Sequence, residues 1–74
     1  MAQTQFGTWL ERMMEEKGVS VEELARAAGI DPKTVQNIIS GNIKRPPDDR
    51  LEGFAEALGV SLETVKRQLP KSLR

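Results

Sequence analysis

The sequence predicts an all-α domain of five short helices. Apolar residues recur at spacings of three and four, and no segment alternates apolar and polar residues as a half-buried strand does. Glycines and prolines divide the chain into segments of helical length. The 74 residues, 38% of them hydrophobic, are enough for one small core. We therefore expect one compact domain over residues 1–70, followed by a short C-terminal tail at 71–74.

The first helix is predicted over residues 5–17, with Gly18 at its end. Apolar side chains at helical spacing define its buried face: Phe6, Trp9, Leu10, Met13 and Met14. We interpret Trp9 and its apolar neighbours as core residues and not as a ligand cage.

Residues 20–41 predict two further short helices joined by a glycine turn. The residues that mark their ends are Ser20 and Glu23 (a capping box), Gly29 (a left-handed C-cap), Asp31 and Pro32 (N-cap and first helical position) and Gly41 (helix end). The apolar residues of the pair are Leu24, Ala25 and Ala28 before the turn, and Ile30, Val35 and Ile38 after it. Ala25 lies at the predicted crossing, where a larger side chain would hold the helices apart. This pattern is typical of a helix-turn-helix, whose second helix enters a DNA major groove.

The prolines at 46 and 47 predict a loop over residues 42–47. The fourth helix is expected to start near residues 48–49 and to end at Gly59. Its predicted buried residues are Leu51, Phe54, Ala55 and Leu58. Ser61 caps a fifth helix, which stops before Pro70.

The end of the fifth helix predicts an apolar edge. Leu62 and Val65 are expected to pack against helix four, which leaves Leu69 and Leu73 partly exposed. Such an edge fits a weak isologous homodimer that forms mainly on DNA. The alternative is a frayed tail after Pro70.

Cysteine and histidine are both absent, which removes thiolate metal sites and the commonest general base. No apolar run is long enough to span a bilayer. The composition therefore predicts a soluble, cytoplasmic, non-enzymatic domain with no cofactor, no membrane partner and no small-molecule substrate. Lys plus Arg and Asp plus Glu each number 11, so the net charge is zero. Residues 31–47 hold three bases and one acid, and this net positive segment covers helix three and the loop after it.

The chain resembles the phage-repressor and Cro-like (XRE-type) helix-turn-helix family over roughly residues 6–69. Three segments carry the resemblance, namely the helix pair at 20–41, the loop at 40–46 and the stretch at 55–62. The resemblance implies a five-helix, lambda-repressor-like fold. It also implies sequence-specific binding of double-stranded DNA by helix three, in a bacterial or phage transcriptional regulator or its DNA-binding part.

Helical spacing places four polar residues on the outward face of helix three: Lys33, Gln36, Asn37 and Ser40. We predict base contacts from the first three, because Lys suits guanine and Asn or Gln suits adenine. The predicted phosphate contacts are Ser20, Val21, Ser40, Lys44, Arg45 and Arg50. Ser20 and Val21 would act through free N–H groups at the start of helix two. Ser40 and the Lys44–Arg45 pair match family positions at the DNA backbone. The alternative for the outward face is a plain solvated surface.

The sequence departs from the family at several positions. Val21 stands where the family often has a Gln that braces the recognition helix, and Pro32 stands where it often has a polar base-reading residue. Met14 and Ile39 occupy the positions of a buried Arg–Glu pair, so we expect them to be buried against each other. The loop before helix four is longer than in the shorter family members, which could reposition Arg50. Neutral net charge, Val21 and Pro32 favour the alternative function, in which the same fold serves protein–protein contact with weak or lost DNA binding.

Overall fold

The computed structural model describes residues 4–43 and 46–69, and this part of the chain contains helices and no strand. The elements are α1 (Gln5–Lys17), α2 (Val21–Ala28), α3 (Pro32–Ser40), a 3₁₀ turn (Asp48–Arg50), α4 (Leu51–Leu58) and α5 (Leu62–Arg67). The predicted all-α, five-helix fold is therefore confirmed. α2 and α4 are the most extensively packed pair, and α3 lies against both α1 and α2.

Local capping accounts for the ends of α2. The Ser20 Oγ accepts a hydrogen bond from the Glu23 N–H, and the Glu23 carboxylate accepts one from the Ser20 N–H, both at 3.0 Å. Gly29 ends the helix at a φ of 72°, in the left-handed region that favours glycine. The predicted capping box and C-cap are both confirmed. The sequence could predict them because these interactions involve residues only a few positions apart.

Helix four begins differently from the prediction. Residues 48–50 form a 3₁₀ turn, and the α-helical geometry starts at Leu51. The Arg50 N–H donates to the Pro47 carbonyl at 3.0 Å, which is the tighter i to i+3 pairing. The two prolines lack N–H groups and have fixed φ angles. The chain therefore forms a tight turn directly after them, and α-helical hydrogen bonding begins only after this turn.

The core gathers apolar residues from all five helices. Its buried members are Phe6, Leu10, Met14, Leu24, Ala25, Ala28, Val35, Ile38, Leu51, Phe54, Ala55, Leu58, Val65 and Leu69. The rings of Phe6 and Phe54 join α1 to α4, with centroids 6.2 Å apart. Trp9 packs against this core with its ring 5.7 Å from that of Phe6, and it remains half-buried.

The predicted apolar edge at the end of α5 is wrong for Leu69. Leu69 is 8% exposed and belongs to the core, whereas Leu62, predicted to be buried, is only partly so. The Leu69 N–H donates to the Lys66 carbonyl at 3.1 Å, so the chain keeps turning after α5 and brings this side chain back onto the core. Leu69 therefore does not supply the expected homodimer surface, and Leu73 lies outside the described residues.

Two glycines in the first turns of α1 and α4 mark close helix crossings. A Cβ on Gly7 in α1 would lie 2.6 Å from the Ile39 carbonyl oxygen in α3. A Cβ on Gly53 in α4 would lie 2.5 Å from both the Ala27 oxygen and the Ala28 Cα in α2. Both pairs of helices therefore meet backbone against backbone, and these crossings set how α3 is held.

Candidate nucleic-acid interface

Helix α3 has a buried apolar side and an opposite side that carries polar residues. Val35 and Ile38 are fully buried, which anchors the helix against α1 and α2. Lys33, Gln36 and Ser40 are exposed, and Asn37 is half-buried. The structure thus brings these predicted residues together on the outer side of α3, in the arrangement that a helix in a major groove requires.

The Ser40 hydroxyl is already used within the helix. It donates to the Asn37 carbonyl oxygen at 3.2 Å. A phosphate contact from the Ser40 hydroxyl proton, as predicted, would require this bond to open. The free lone pairs of the hydroxyl accept hydrogen bonds and so do not suit a phosphate oxygen.

The N-terminus of α2 offers N–H groups beside acidic side chains. The capping box uses the N–H groups of Ser20 and Glu23, so those of Val21 and Glu22 are the two at this end without an acceptor inside the helix. The Glu23 carboxylate points back to the cap, while Glu22 adds an exposed negative charge to the same turn. A phosphate here would gain from the helix dipole and lose from Glu22.

Arg50 lies over the turn between α2 and α3. A Cβ on Gly29 would be 3.0 Å from the Arg50 Nη1 and 3.8 Å from its Cζ. The guanidinium thus stands at the C-terminal end of α2, where the helix carbonyls carry partial negative charge. It remains exposed and therefore accessible to a phosphate. Lys44 and Arg45, the other predicted phosphate contacts, lie outside the described residues.

Met14 and Ile39 line the same shallow depression, which has a volume of about 410 Å³. Val19 and Val21 add to its apolar lining, and Glu11 and Glu15 also line it. Met14 is 7% exposed, as predicted, but Ile39 is only half-buried, because this side of α3 opens into the depression. The expectation that both residues are buried is therefore wrong for Ile39.

This geometry predicts the outcome of restoring a charged pair. We expect Met14→Arg alone to destabilise the domain by about 3 kcal/mol, the lower end of the range for an unpaired buried charge, because carboxylates line the same depression. Adding Ile39→Glu should recover much of that loss. Urea denaturation of the wild type, both single variants and the double variant gives the interaction energy between positions 14 and 39. Purely additive effects would show that positions 14 and 39 do not interact.

The described residues contain no cluster of three or more acidic, His or Cys side chains that could hold a metal ion. Within the same part of the chain, no helix combines the length and the hydropathy that crossing a membrane demands.

Comparisons with known proteins agree with this arrangement. A family model described as helix-turn-helix matches residues 10–65. A crystal structure of SinR, the master regulator for biofilm formation, in complex with DNA superposes on this chain with a TM-score of 0.72 and 30% sequence identity, over 82% of this chain and 97% of that one. No curated protein sequence matched the chain. Since the matched residues span most of the chain and include α2, the glycine turn and α3, this chain belongs to the XRE-type helix-turn-helix family.

Proposed function

We propose that this domain binds double-stranded DNA sequence-specifically with α3 in the major groove, and that it acts as a transcriptional regulator or as the DNA-binding part of one. The observation that carries the proposal is the two-sided character of α3. Val35 and Ile38 are fully buried, while the polar residues Lys33, Gln36 and Asn37 lie together on the other side. The similarity to SinR, whose crystal structure is of a DNA complex, supports the same use here.

The competing function is protein–protein contact with DNA binding weak or lost. Zero net charge favours it, since nucleic-acid binders usually carry a basic excess, and so do Val21 and Pro32. The family match and the DNA-bound structural neighbour favour DNA binding. The proposed regulator is non-enzymatic and works in the cytoplasm, where a bacterial or phage operator is found. A homodimer on two half-sites remains a prediction, without the Leu69 contact, and Leu73 lies outside the described residues.

Within this proposal, one set of residues contacts the bases and another contacts the phosphates. Lys33 donates to guanine O6 and N7, and Gln36 and Asn37 pair with adenine N6 and N7. The proposed phosphate contacts are Ser20, Val21, Lys44, Arg45 and Arg50, and Ser40 once its hydrogen bond to the Asn37 carbonyl oxygen opens. Val21 would use its backbone N–H and Ser20 its cap hydroxyl, because the Ser20 N–H is bonded to the Glu23 carboxylate, and the three cations would act through their charge.

The direct test is a fluorescence anisotropy titration on duplex DNA at low and moderate salt. Binding that weakens as salt rises supports the proposal, because phosphate neutralisation releases counterions. Absence of binding to any duplex even at low salt would support the protein–protein alternative.

Alanine variants separate the two kinds of interaction. We expect Lys33→Ala to cost about 1–3 kcal/mol on the preferred site and to relax selection at one base position. Lys44→Ala and Arg45→Ala should weaken binding to all sequences equally. Each should also reduce the salt slope by about 0.9, because one phosphate fewer is neutralised on binding.

Lys66→Ala is the matched control for charge. Lys66 is an exposed lysine on α5, and its removal changes the net charge by the same amount as Lys33→Ala. We expect it to leave sequence preference unchanged. If Lys33→Ala and Lys66→Ala lower the affinity alike at every sequence, then Lys33 contributes charge alone and reads no base.

A further inference from the structure

The loop after α3 is tied to Asn37. The Asn37 carbonyl oxygen accepts the Gly41 N–H at 3.2 Å and the Ile43 N–H at 3.0 Å. These two bonds hold residues 41–43 against the last turn of α3, with Asn42 between the two donors. Asn37 is also the half-buried member of the polar face.

Asn42 contacts the Asn37 side chain from this loop. Its Nδ2 donates to the Asn37 Oδ1 at 3.4 Å. An amide oxygen accepts two hydrogen bonds and an amide nitrogen donates two. The contact therefore occupies one lone pair of Oδ1 and leaves both N–H groups of Asn37, together with the second lone pair, for another partner.

We propose that Asn42 is a positioning residue that sets the base preference of Asn37 by fixing which way its amide faces. The inference rests on the proposed function, because it concerns how α3 reads DNA. With Oδ1 held by Asn42, Asn37 offers its Nδ2 protons to the base edge. Guanine presents only acceptors in the major groove, O6 and N7, whereas cytosine presents only its N4 amino donor. The wild-type domain thus prefers guanine to cytosine at the base that Asn37 reads.

The variant Asn42→Asp tests this orientation. A carboxylate only accepts hydrogen bonds, so Asn37 must turn its Nδ2 toward Asp and present its oxygen to the DNA. At the base position where Asn37→Ala relaxes selection, we expect the preference to move from guanine toward cytosine, because only cytosine of the two presents a donor to an amide oxygen. The ratio of the two affinities should change by about fivefold or more, the value of roughly one hydrogen bond. The new negative charge repels every duplex alike, so it cancels in this ratio.

Two further variants serve as controls in a selection from randomised duplexes. Asn42→Ala removes the donor without adding an acceptor, and it should relax the preference without reversing it. The double variant Asn37→Ala with Asn42→Asp should show the preference of Asn37→Ala alone, since Asp has no amide left to orient. A preference for cytosine that persists in the double variant would overturn the inference.

A measurement without DNA separates this inference from the proposed function. The NMR signals of the Asn42 side-chain amide in the free domain should shift in Asn37→Ala and stay unchanged in Lys66→Ala. Unshifted signals would overturn the inference whatever the DNA results. Normal DNA binding with an unaltered base preference in Asn42→Asp would also overturn it and leave the proposed function intact. Failure of the wild-type domain to bind any duplex would refute the proposed function and this inference with it, even if the amide contact is present.

Discussion

Gly53→Ala should destabilise the domain by about 3 kcal/mol, the upper part of the range for overpacking a well-packed site. The added Cβ would lie 2.5 Å from the Ala27 oxygen and the Ala28 Cα, whereas ordinary contacts begin at 3.4 Å. Both neighbours are backbone atoms of α2, so no side chain can rotate away and the two helices must move apart. α2 and α4 form the most extensively packed helix pair, which makes that movement costly.

The sign of the stability change distinguishes a close helix crossing at Gly53 from an ordinary exposed helix position. In an exposed helix interior, replacing Gly by Ala stabilises by about 1 kcal/mol, because Gly has the higher backbone entropy in the unfolded chain. A domain of this size has a total stability of only about 3–5 kcal/mol, so the expected loss would unfold a substantial fraction of the molecules. Urea denaturation followed by circular dichroism measures the free energy of unfolding.

Gly59→Ala is the control for Gly53→Ala. Gly59 has a φ of 70°, and a Cβ there meets nothing within 4 Å. Its substitution should therefore cost only the left-handed backbone strain, about 1 kcal/mol. A Gly53→Ala domain as stable as the wild type, or more stable, would show that α2 and α4 do not approach this closely.

Gly7→Ala should reduce both stability and DNA binding. The added Cβ would lie 2.6 Å from the Ile39 oxygen and 2.7 Å from the Ile38 oxygen, both in the last turns of α3. Relief of this clash moves α3 away from α1, at a cost of about 2–3 kcal/mol. Because α3 is the proposed recognition helix, its displacement should also misplace Lys33 and Asn37 relative to the base edges.

The two effects of Gly7→Ala can be measured separately. The free energy of unfolding gives the folded fraction, and the DNA affinity corrected for that fraction should still fall tenfold or so, the equivalent of about 1.4 kcal/mol. Gly18→Ala is the control, because Gly18 ends the same helix at a φ of 68° with open space around it. It should lose stability and keep its corrected affinity. If the corrected affinity of Gly7→Ala also matches the wild type, α3 has not moved in a way that matters for DNA.

The capping residues and these glycines differ in whether the sequence alone predicts their structural roles. The helix-turn-helix was predicted from Ser20, Glu23 and Gly29, and the structure confirms each cap with short local hydrogen bonds. The roles of Gly7 and Gly53 were not predicted, since an isolated glycine inside a helix indicates, from sequence alone, only a lower helix propensity. A small residue in a helix otherwise rich in good helix formers is the signal that could have pointed to a close crossing.

The candidate site divides in the same way. Helical spacing sufficed to place Lys33, Gln36 and Asn37 on one side of α3. It gave no hint that Asn42 reaches back to the Asn37 amide, because that contact depends on the path of the loop. Nor did it place Arg50 over Gly29, which depends on how α4 docks beside the turn.

What the sequence by itself determined is the set of helices, the caps of α2 and the polar face of α3, whereas Asp31, predicted to cap α3, makes no side-chain cap hydrogen bond. These depend on periodicity and on interactions between residues three to five positions apart, which the order of residues specifies directly. Only the tertiary structure decided that Leu69 joins the core and that Ile39 remains half-buried. It alone decided that α1 crosses α3, and α4 crosses α2, at glycine. These features depend on the angle and distance between packed helices, and many helix arrangements share one pattern of apolar residues until side-chain and backbone volumes select one of them.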